Sequence, residues 1–156
     1  MNDYIRQLAD IIDNSSNIVF FGGAGVSTES GIPDFRSANG IYSRDLGREV
    51  TPEEMISHTF YMKHPDEFFE FYKDALIYEE ARPNACHIAL AELEAEGKLK
   101  AVVTQNIDGL HQAAGSKNVF ELHGSVLRNY CERCGAFYDV RKVVDSEGVP
   151  VCDRCG

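Results

Sequence analysis

Four of the five cysteines have the spacing of a metal site, Cys131-x2-Cys134-x17-Cys152-x2-Cys155. Two close pairs, each on a tight turn, can bring four thiolates to tetrahedral positions around one zinc ion. Four protein ligands leave no open position, so this zinc would be structural and would fold a module that has little core of its own. Disulfides or redox-active cysteines are the alternative, which the lack of a visible secretion signal disfavours.

A glycine-rich stretch has the character of a phosphate-binding loop. The apolar residues 18–21 predict a buried parallel strand, and Gly22-Gly23-Ala24-Gly25-Val26-Ser27-Thr28 follows it directly. Glycines let the backbone approach a pyrophosphate, and the N–H groups of a following helix face its negative charge. The match to the dinucleotide fingerprint G-x-G-x-x-G is incomplete, because Thr28 stands where the third glycine belongs.

Polar residues follow two further strand-like segments. Asn106 and Asp108 come after the apolar residues 101–103, and His123 follows residues 119–122. The carboxyl ends of parallel strands are where α/β proteins build their sites, and imidazole is a common general base. Taken singly, these residues have simpler interpretations, since Asn106 and Asp108 suit a turn and His123 could be structural.

Together and in this order, the segments resemble the motifs of the sirtuins, the NAD-dependent protein-lysine deacylases. Four motifs in order are more specific than any one of them. The resemblance extends from about residue 18 to residue 156. It rests on the glycine loop with its continuation Gly31-Ile32-Pro33-Asp34-Phe35-Arg36, on Thr104-Gln105-Asn106-Ile107-Asp108, on His123-Gly124 and on the two Cys-x-x-Cys pairs.

The resemblance implies NAD as a consumed co-substrate and zinc as a structural metal, and it gives each motif residue a role. The implied catalytic residues are His123, as the base, with Asn106 and Asp108 in polar contact with the nicotinamide ribose and carboxamide. Phe35 would cover the nicotinamide pocket, although core packing is the simpler explanation for a phenylalanine. The implied cofactor-binding residues are Gly23, Ala24, Gly25, Ser27, Thr28, Asp34, Phe35, Arg36, Gln105, Asn106, Ile107, Asp108 and His123, and the implied zinc ligands are Cys131, Cys134, Cys152 and Cys155.

The resemblance also implies a reaction and a partner class. A sirtuin transfers the acetyl group of acetyl-lysine to ADP-ribose and releases nicotinamide, so the implied partners are acetyl-lysine-containing proteins, with no nucleic acid and no membrane. Sirtuins that remove acidic acyl groups carry a Tyr-x-x-Arg pair, whose arginine pairs with the acyl carboxylate. The matching segment here is Tyr72-Lys73-Asp74-Ala75, which lacks the arginine. We therefore expect a preference for acetyl or another uncharged acyl group over succinyl.

The composition is that of a globular protein, with 44% hydrophobic and 26% charged residues. The formal net charge of −10 argues against nonspecific nucleic-acid binding, which depends on basic residues. It suits lysine-rich partner segments, and equally a merely acidic soluble surface. No apolar run of membrane-spanning length and no signal peptide are visible, so a cytoplasmic protein is expected. The sequence carries no signal for an oligomeric state.

Helices alternate with short apolar strands, which predicts an α/β fold. We expect a partial Rossmann-like parallel sheet with a small helical insertion and a four-cysteine zinc-ribbon module. Thr51 and Pro52 begin a predicted helix with Glu54 completing a capping box, and Asn84 caps another. The predicted domains are a Rossmann-like NAD-binding part at 1–41 and 83–125, the helical insertion at 42–82 and the zinc-binding module at 126–156.

Two residues outside the motifs receive structural interpretations. Cys86 is adjacent to His87, but neighbouring helical residues do not face each other, so we predict a buried or partly buried thiol. His111 is predicted to be structural, on the helical turn after Asp108. The other histidines, His58, His64 and His87, belong to no motif.

Sirtuins are longer than this chain, in which only Gly156 follows the fourth cysteine. The expectation is a sirtuin domain without the usual C-terminal half, in which the first strand has an unpaired edge. The alternatives to an active deacetylase are a non-catalytic fragment or NAD- or ADP-ribose-binding module, and a protein ADP-ribosyltransferase.

Overall fold

The structure, a computed structural model, describes residues 2–45, 47 and 49–156. No helix in these ranges is long and apolar enough to span a bilayer. The α-helices are α1 (Asp3–Asp13), α2 (Pro52–Met55), α3 (His58–Lys63), α4 (Pro65–Leu76), α5 (Ala85–Ala95), α6 (Leu110–Ala114) and α7 (Val140–Val144). The strands are β1 (Ile18–Gly22), β2 (Leu99–Thr104), β3 (Val119–Glu121), β4 (Asn129–Tyr130) and β5 (Phe137–Tyr138), and 3-10 turns cover Ala24–Ser30 and Ile41–Ser43.

Strands β1, β2 and β3 form a parallel sheet in that order, as the α/β prediction requires. One face packs against α5, where Leu90, Leu99 and Val102 form a buried cluster. On the other face Phe21 and Phe120 are more than half exposed. The prediction that β1 is buried is therefore wrong: among the described residues β1 pairs only with β2, and only one of its faces is covered.

The helical insertion has a core of its own. Ile41, Met55, Phe71 and Ala75 form a buried cluster between the 3-10 turn Ile41–Ser43 and helices α2 and α4. The predicted capping box at the start of α2 is confirmed, since the side chain of Thr51 accepts from the Glu54 amide and that of Glu54 accepts from the Thr51 amide. Because Ile41 packs in this core, the residue that leads into the insertion is fixed to its helices.

The four cysteines lie in a small module made of the antiparallel pair β4–β5 and helix α7. Polar contacts connect this module to the helical insertion. The Lys73 ammonium donates to the carbonyl of Ser146 at 2.5 Å, and Arg141 forms an ion pair with Glu79. The domain limits predicted above stay a prediction.

Candidate active site and metal centre

The loops that follow β1, β2 and β3 meet at one edge of the sheet. The Gln105 amide donates to the Gly22 carbonyl at 3.0 Å, and the Leu122 amide donates to the Thr104 carbonyl at 2.9 Å. Because parallel strands end at the same edge, residues far apart in the sequence become neighbours there. The three sequence motifs before the cysteines therefore come together in space.

Ser27, Asn106 and Asp108 form one hydrogen-bond network. The Ser27 hydroxyl donates to Asp108 Oδ2 at 2.6 Å, and Asn106 Nδ2 donates to Ser27 Oγ at 3.0 Å. The other carboxylate oxygen of Asp108 accepts the Leu110 amide at 2.9 Å, which fixes the start of α6. Ser27 and Asn106 are both buried, so each polar group in the network depends on its partner.

The glycine loop supplies residues to the site in two ways. It forms a 3-10 turn over Ala24–Ser30, in which Ala24 and Ser27 face the site. A Cβ atom at Gly23 would lie 3.1 Å from Gln105 Oε1, whereas one at Gly25 would meet open space. The Thr28 hydroxyl donates to the Gly25 carbonyl at 2.9 Å and so bonds within its own turn.

The segment after this turn folds back on itself and positions Phe35. The Ile41 amide donates to the Asp34 carbonyl and the Tyr42 amide to the Phe35 carbonyl, at 2.8 and 2.9 Å. A Cβ atom at Gly40 would lie 2.7 Å from the Phe35 carbonyl carbon, so glycine permits this close approach. The Ser37 amide donates to Asp34 Oδ1 at 2.8 Å, which lowers the pKa of Asp34 below its ordinary value.

One cavity of about 370 Å³ opens among these loops. Eight of the predicted cofactor residues line it, whereas Gly23, Gly25, Thr28, Asp34 and Arg36 are not in its wall. The eight are Ala24, Ser27, Phe35, Gln105, Asn106, Ile107, Asp108 and His123. His123 and Gln105 are the exposed members, and His123 lies two residues after the end of β3 and directly before Gly124, whose φ is +77°. Arg36 lies outside, with its guanidinium carbon 5.8 Å from the centre of the Tyr42 ring.

The rest of the cavity wall is largely apolar and comes mainly from the helical insertion. Sequence reasoning did not assign this wall beyond Tyr72 and Ala75. Phe68, Tyr72 and Leu76 succeed one another at intervals of four on α4, and this spacing could have indicated a shared face. The wall consists of Ile32, Pro33, Ile41, Ile56, Phe68, Tyr72, Ala75, Leu76 and Tyr78.

Two buried histidines lie behind the polar network. The rings of His87 and His111 are 4.7 Å apart, and both side chains are almost fully buried. Burial lowers the pKa of both imidazoles, and Asp108 opposes that shift in each. The structural interpretation of His111 agrees with this position. The sequence did not indicate that His87 is buried beside His111, because only its position on the buried face of α5 shows this.

The prediction made for the Cys86 thiol is wrong. The thiol is exposed, not buried or partly buried. Helix α5 buries the face that carries His87 and Leu90, and Cys86 lies about 100° around the helix from His87.

The other four thiols fit a zinc ion. The distance from Cys131 Sγ to Cys155 Sγ is 3.6 Å, as is that from Cys134 Sγ to Cys152 Sγ, and all four sulfurs lie within 4.8 Å of one another. Zn–S bonds of about 2.3 Å in a tetrahedron place the sulfurs about 3.8 Å apart. A disulfide needs about 2.05 Å, so the geometry favours metal ligation over the disulfide alternative. A hydrogen bond from the Tyr138 hydroxyl lowers the pKa of the Cys152 thiol to about 6, which favours the thiolate that a metal requires.

Comparison with known proteins decides the family. A profile described as the Sir2 family matches residues 23–156. The chain belongs to the Sir2 family. The resemblance carried by the four motifs is thereby confirmed, as is the predicted fold class, since Sir2 structures share this fold.

Sir2 relatives among curated proteins match almost the entire chain. The chain is 65% identical over 156 residues to an NAD-dependent protein deacetylase of Clostridium perfringens, covering 100% of this chain and 64% of that protein. It is 44% identical over 155 residues to a protein of the same name from Thermotoga maritima, covering 97% of this chain and 61% of that protein. The chain thus spans slightly less than two thirds of the length of these Sir2 relatives.

Solved Sir2 structures share the fold. A Sir2 variant with a deacetylated p53 peptide and 3′-O-acetyl-ADP-ribose superposes with a TM-score of 0.84 at 44% identity, over 97% of this chain and 61% of that chain. Sir2 with a p53 peptide and NAD⁺ gives a TM-score of 0.78 at 42% identity, over 99% and 60%.

Proposed function

We propose that this Sir2 chain carries the catalytic site of an NAD-dependent protein-lysine deacetylase, which transfers the acetyl group of acetyl-lysine to ADP-ribose and releases nicotinamide. The observation that carries the proposal is one cavity that collects Ser27, Asn106, Asp108 and His123 from three separate loops. The names of the curated relatives and the ligands in the titles of the solved structures support the same reaction. The substrates proposed are NAD and acetyl-lysine-containing proteins.

The proposed roles follow from chemistry and position. His123, exposed at the cavity wall after β3, accepts a proton from a ribose hydroxyl of NAD as general base. Asn106 and Asp108 provide polar contacts to the nicotinamide ribose and carboxamide, and Gln105 and Ile107 complete that wall. Phe35 covers the nicotinamide end. The phosphates and the remaining ribose are assigned to Gly23, Ala24, Gly25, Ser27 and Thr28, with Asp34 and Arg36 at the border of the site.

The apolar end of the cavity is the proposed acyl site. The aromatic and aliphatic side chains of Phe68, Tyr72 and Leu76 would surround an uncharged acyl chain and exclude water from it. Among the described residues that line the cavity there is no lysine or arginine, so a carboxylate on the acyl group would find no cation there. This supports the preference for acetyl expected from the sequence.

The proposal is tested by nicotinamide release from the purified, zinc-loaded chain in the presence of NAD and an acetyl-lysine peptide. We expect release that requires the peptide, that is lost in His123→Ala and that is retained in His58→Ala, which changes an exposed histidine on α3. No release from folded, zinc-loaded protein would overturn the proposal. Release that does not require the peptide would also oppose it, and would favour ADP-ribosyl transfer or hydrolysis of NAD.

A further inference from the structure

A tyrosine outside the ligand set contacts the zinc site. The Tyr138 hydroxyl oxygen, at the end of β5, lies 3.2 Å from Cys152 Sγ. The same oxygen accepts the backbone amide of Asp153 at 2.8 Å. Tyr138 is not among the residues that line the cavity assigned to NAD, and the proposed function gives it no role.

The proton arrangement of this contact follows from the metal. A cysteine bound to zinc is a thiolate and has no proton to donate, so the hydroxyl must be the donor to Cys152 Sγ. The lone pairs of the hydroxyl stay available to the Asp153 amide, and that bond fixes where the oxygen lies. We propose that Tyr138 is a positioning residue of the zinc site, whose hydroxyl donates to Cys152 Sγ and thereby slows the loss of the metal.

Helix α7 holds the tyrosine in this position. Lys142 Nζ lies 2.5 Å from Asp153 Oδ1 and 5.4 Å from the centre of the Tyr138 ring. One lysine therefore contacts both the ring and the residue whose amide orients the hydroxyl. The arrangement connects α7 to the second Cys-x-x-Cys turn without using a metal ligand.

The negative charge of a zinc ion bound by four thiolates explains why a hydrogen-bond donor to one of them matters. A zinc ion with four thiolates has a net charge of −2, which hydrogen bonds and nearby cations stabilise. Cys152 accepts the Tyr138 hydroxyl and also the Arg154 amide, the latter at 3.4 Å. The hydroxyl is the one of these two donors that comes from a side chain, so substitution can remove it without altering the ligand. Loss of an outer-shell partner of this kind typically weakens metal binding about 10- to 100-fold.

The test is the rate at which the zinc-loaded chain transfers its metal to an excess of a chromophoric chelator. We expect Tyr138→Phe to release zinc about tenfold faster or more. The matched control is Tyr130→Phe, which removes a hydroxyl from the same module, where the Tyr130 ring packs 5.6 Å from Phe137; its release rate should equal that of the unsubstituted chain. In cobalt-loaded protein, Tyr138→Phe should move the thiolate-to-metal charge-transfer band to lower energy, because the sulfur loses its hydrogen bond.

Rescue separates a donor from a merely structural ring. The chain with 4-aminophenylalanine at position 138 keeps an N–H donor and should recover slow release, whereas 4-methoxyphenylalanine has no proton and should not. This pair decides the question even where Tyr138→Phe does not fold. Zinc release from Tyr138→Phe at the unsubstituted rate, or equal release from the amino and methoxy variants, would overturn the proposal. Neither result depends on the deacetylase activity.

Discussion

Ser27 Oγ donates a 2.6 Å hydrogen bond to Asp108 Oδ2 across 81 positions of the sequence. The bond joins the loop after β1 to the loop after β2. Ser27 Oγ also accepts from Asn106 Nδ2, so one hydroxyl orients both of the polar side chains that follow β2. Two motifs that look independent in the sequence therefore form one unit in the folded chain.

Removal of this hydroxyl tests whether the unit matters to the reaction. Ser27→Ala removes one hydrogen-bond partner from the buried Asn106 and one from the partly buried Asp108, which costs about 1–3 kcal/mol. We expect kcat/KM for nicotinamide release to fall about tenfold or more. The control is Ser15→Ala, since the Ser15 hydroxyl donates to the Ile11 carbonyl at the end of α1. Turnover by Ser27→Ala equal to that of the Ser15 variant would show that the network does not serve the reaction.

The acyl preference is measured with peptides that differ only in the acyl group. Acetyl- and propionyl-lysine peptides should react with similar efficiency, and a succinyl-lysine peptide about tenfold or more slowly. Desolvation of an unpaired carboxylate is unfavourable, and none of the described residues in the wall next to Ala75 is a cation that could pair with it. Faster turnover of the succinyl peptide than of the acetyl peptide would refute the assignment of this wall.

The zinc site is predicted to be structural. Cys134→Ser should lose the metal and unfold at lower temperature, whereas Cys86→Ser should keep it, because that exposed thiol is outside the cluster. Metal content and thermal unfolding by circular dichroism measure both outcomes. Since four ligands leave no open position, replacement of zinc by cadmium should leave nicotinamide release nearly unchanged. A large change in turnover with the metal's identity would indicate that the metal takes part in the chemistry.

The two buried histidines predict acid sensitivity of the fold. Burial lowers the pKa of His87 and His111 in the folded chain, and unfolding restores the ordinary value of about 6.5. Just below that value the unfolded state binds more protons than the folded state. The free energy of unfolding therefore falls as the pH drops below about 6.5, whereas above that pH the contribution of the two neutral histidines is complete. Urea unfolding at about pH 7.5 and about pH 5.5 should show the decrease.

Variants separate this effect from general acid sensitivity. His111→Asn should reduce the pH dependence, whereas His58→Asn should leave it as it is, because His58 is exposed. Loss of zinc at low pH would affect all three proteins alike. An unchanged pH dependence in the His111 variant would mean that the buried pair does not cause it.

Local chemistry explains what could be predicted from the sequence. The capping box of Thr51 and Glu54 and the cap supplied by Asn84 depend on residues within one helical turn, and both occur as expected. The two Cys-x-x-Cys turns are equally local, and pairing them required only that the intervening residues fold back. The positions of Asn106, Asp108 and His123 followed from a rule of topology, that parallel strands end at one edge.

What the sequence did not reveal depends on contacts between distant elements. Residues 18–21 are as apolar as a strand buried on both faces, and nothing in them shows that one face of β1 stays uncovered by the described residues. The partnership of His87 with His111 joins α5 to α6, and that of Tyr138 with Cys152 joins β5 to the second cysteine turn. The spacing of the residues involved is not diagnostic, so only the fold shows that they meet.

The fate of the acetyl group tests the central claim most directly. The chain would be incubated with NAD and a peptide that carries a ¹³C-labelled acetyl-lysine, and the products followed by NMR and mass spectrometry. We predict that the label appears on ADP-ribose, one acetyl group for each nicotinamide released, and that His123→Ala abolishes this product. Label that remains on the peptide while nicotinamide is released, or that appears as free acetate without an acetylated ADP-ribose, would contradict the account.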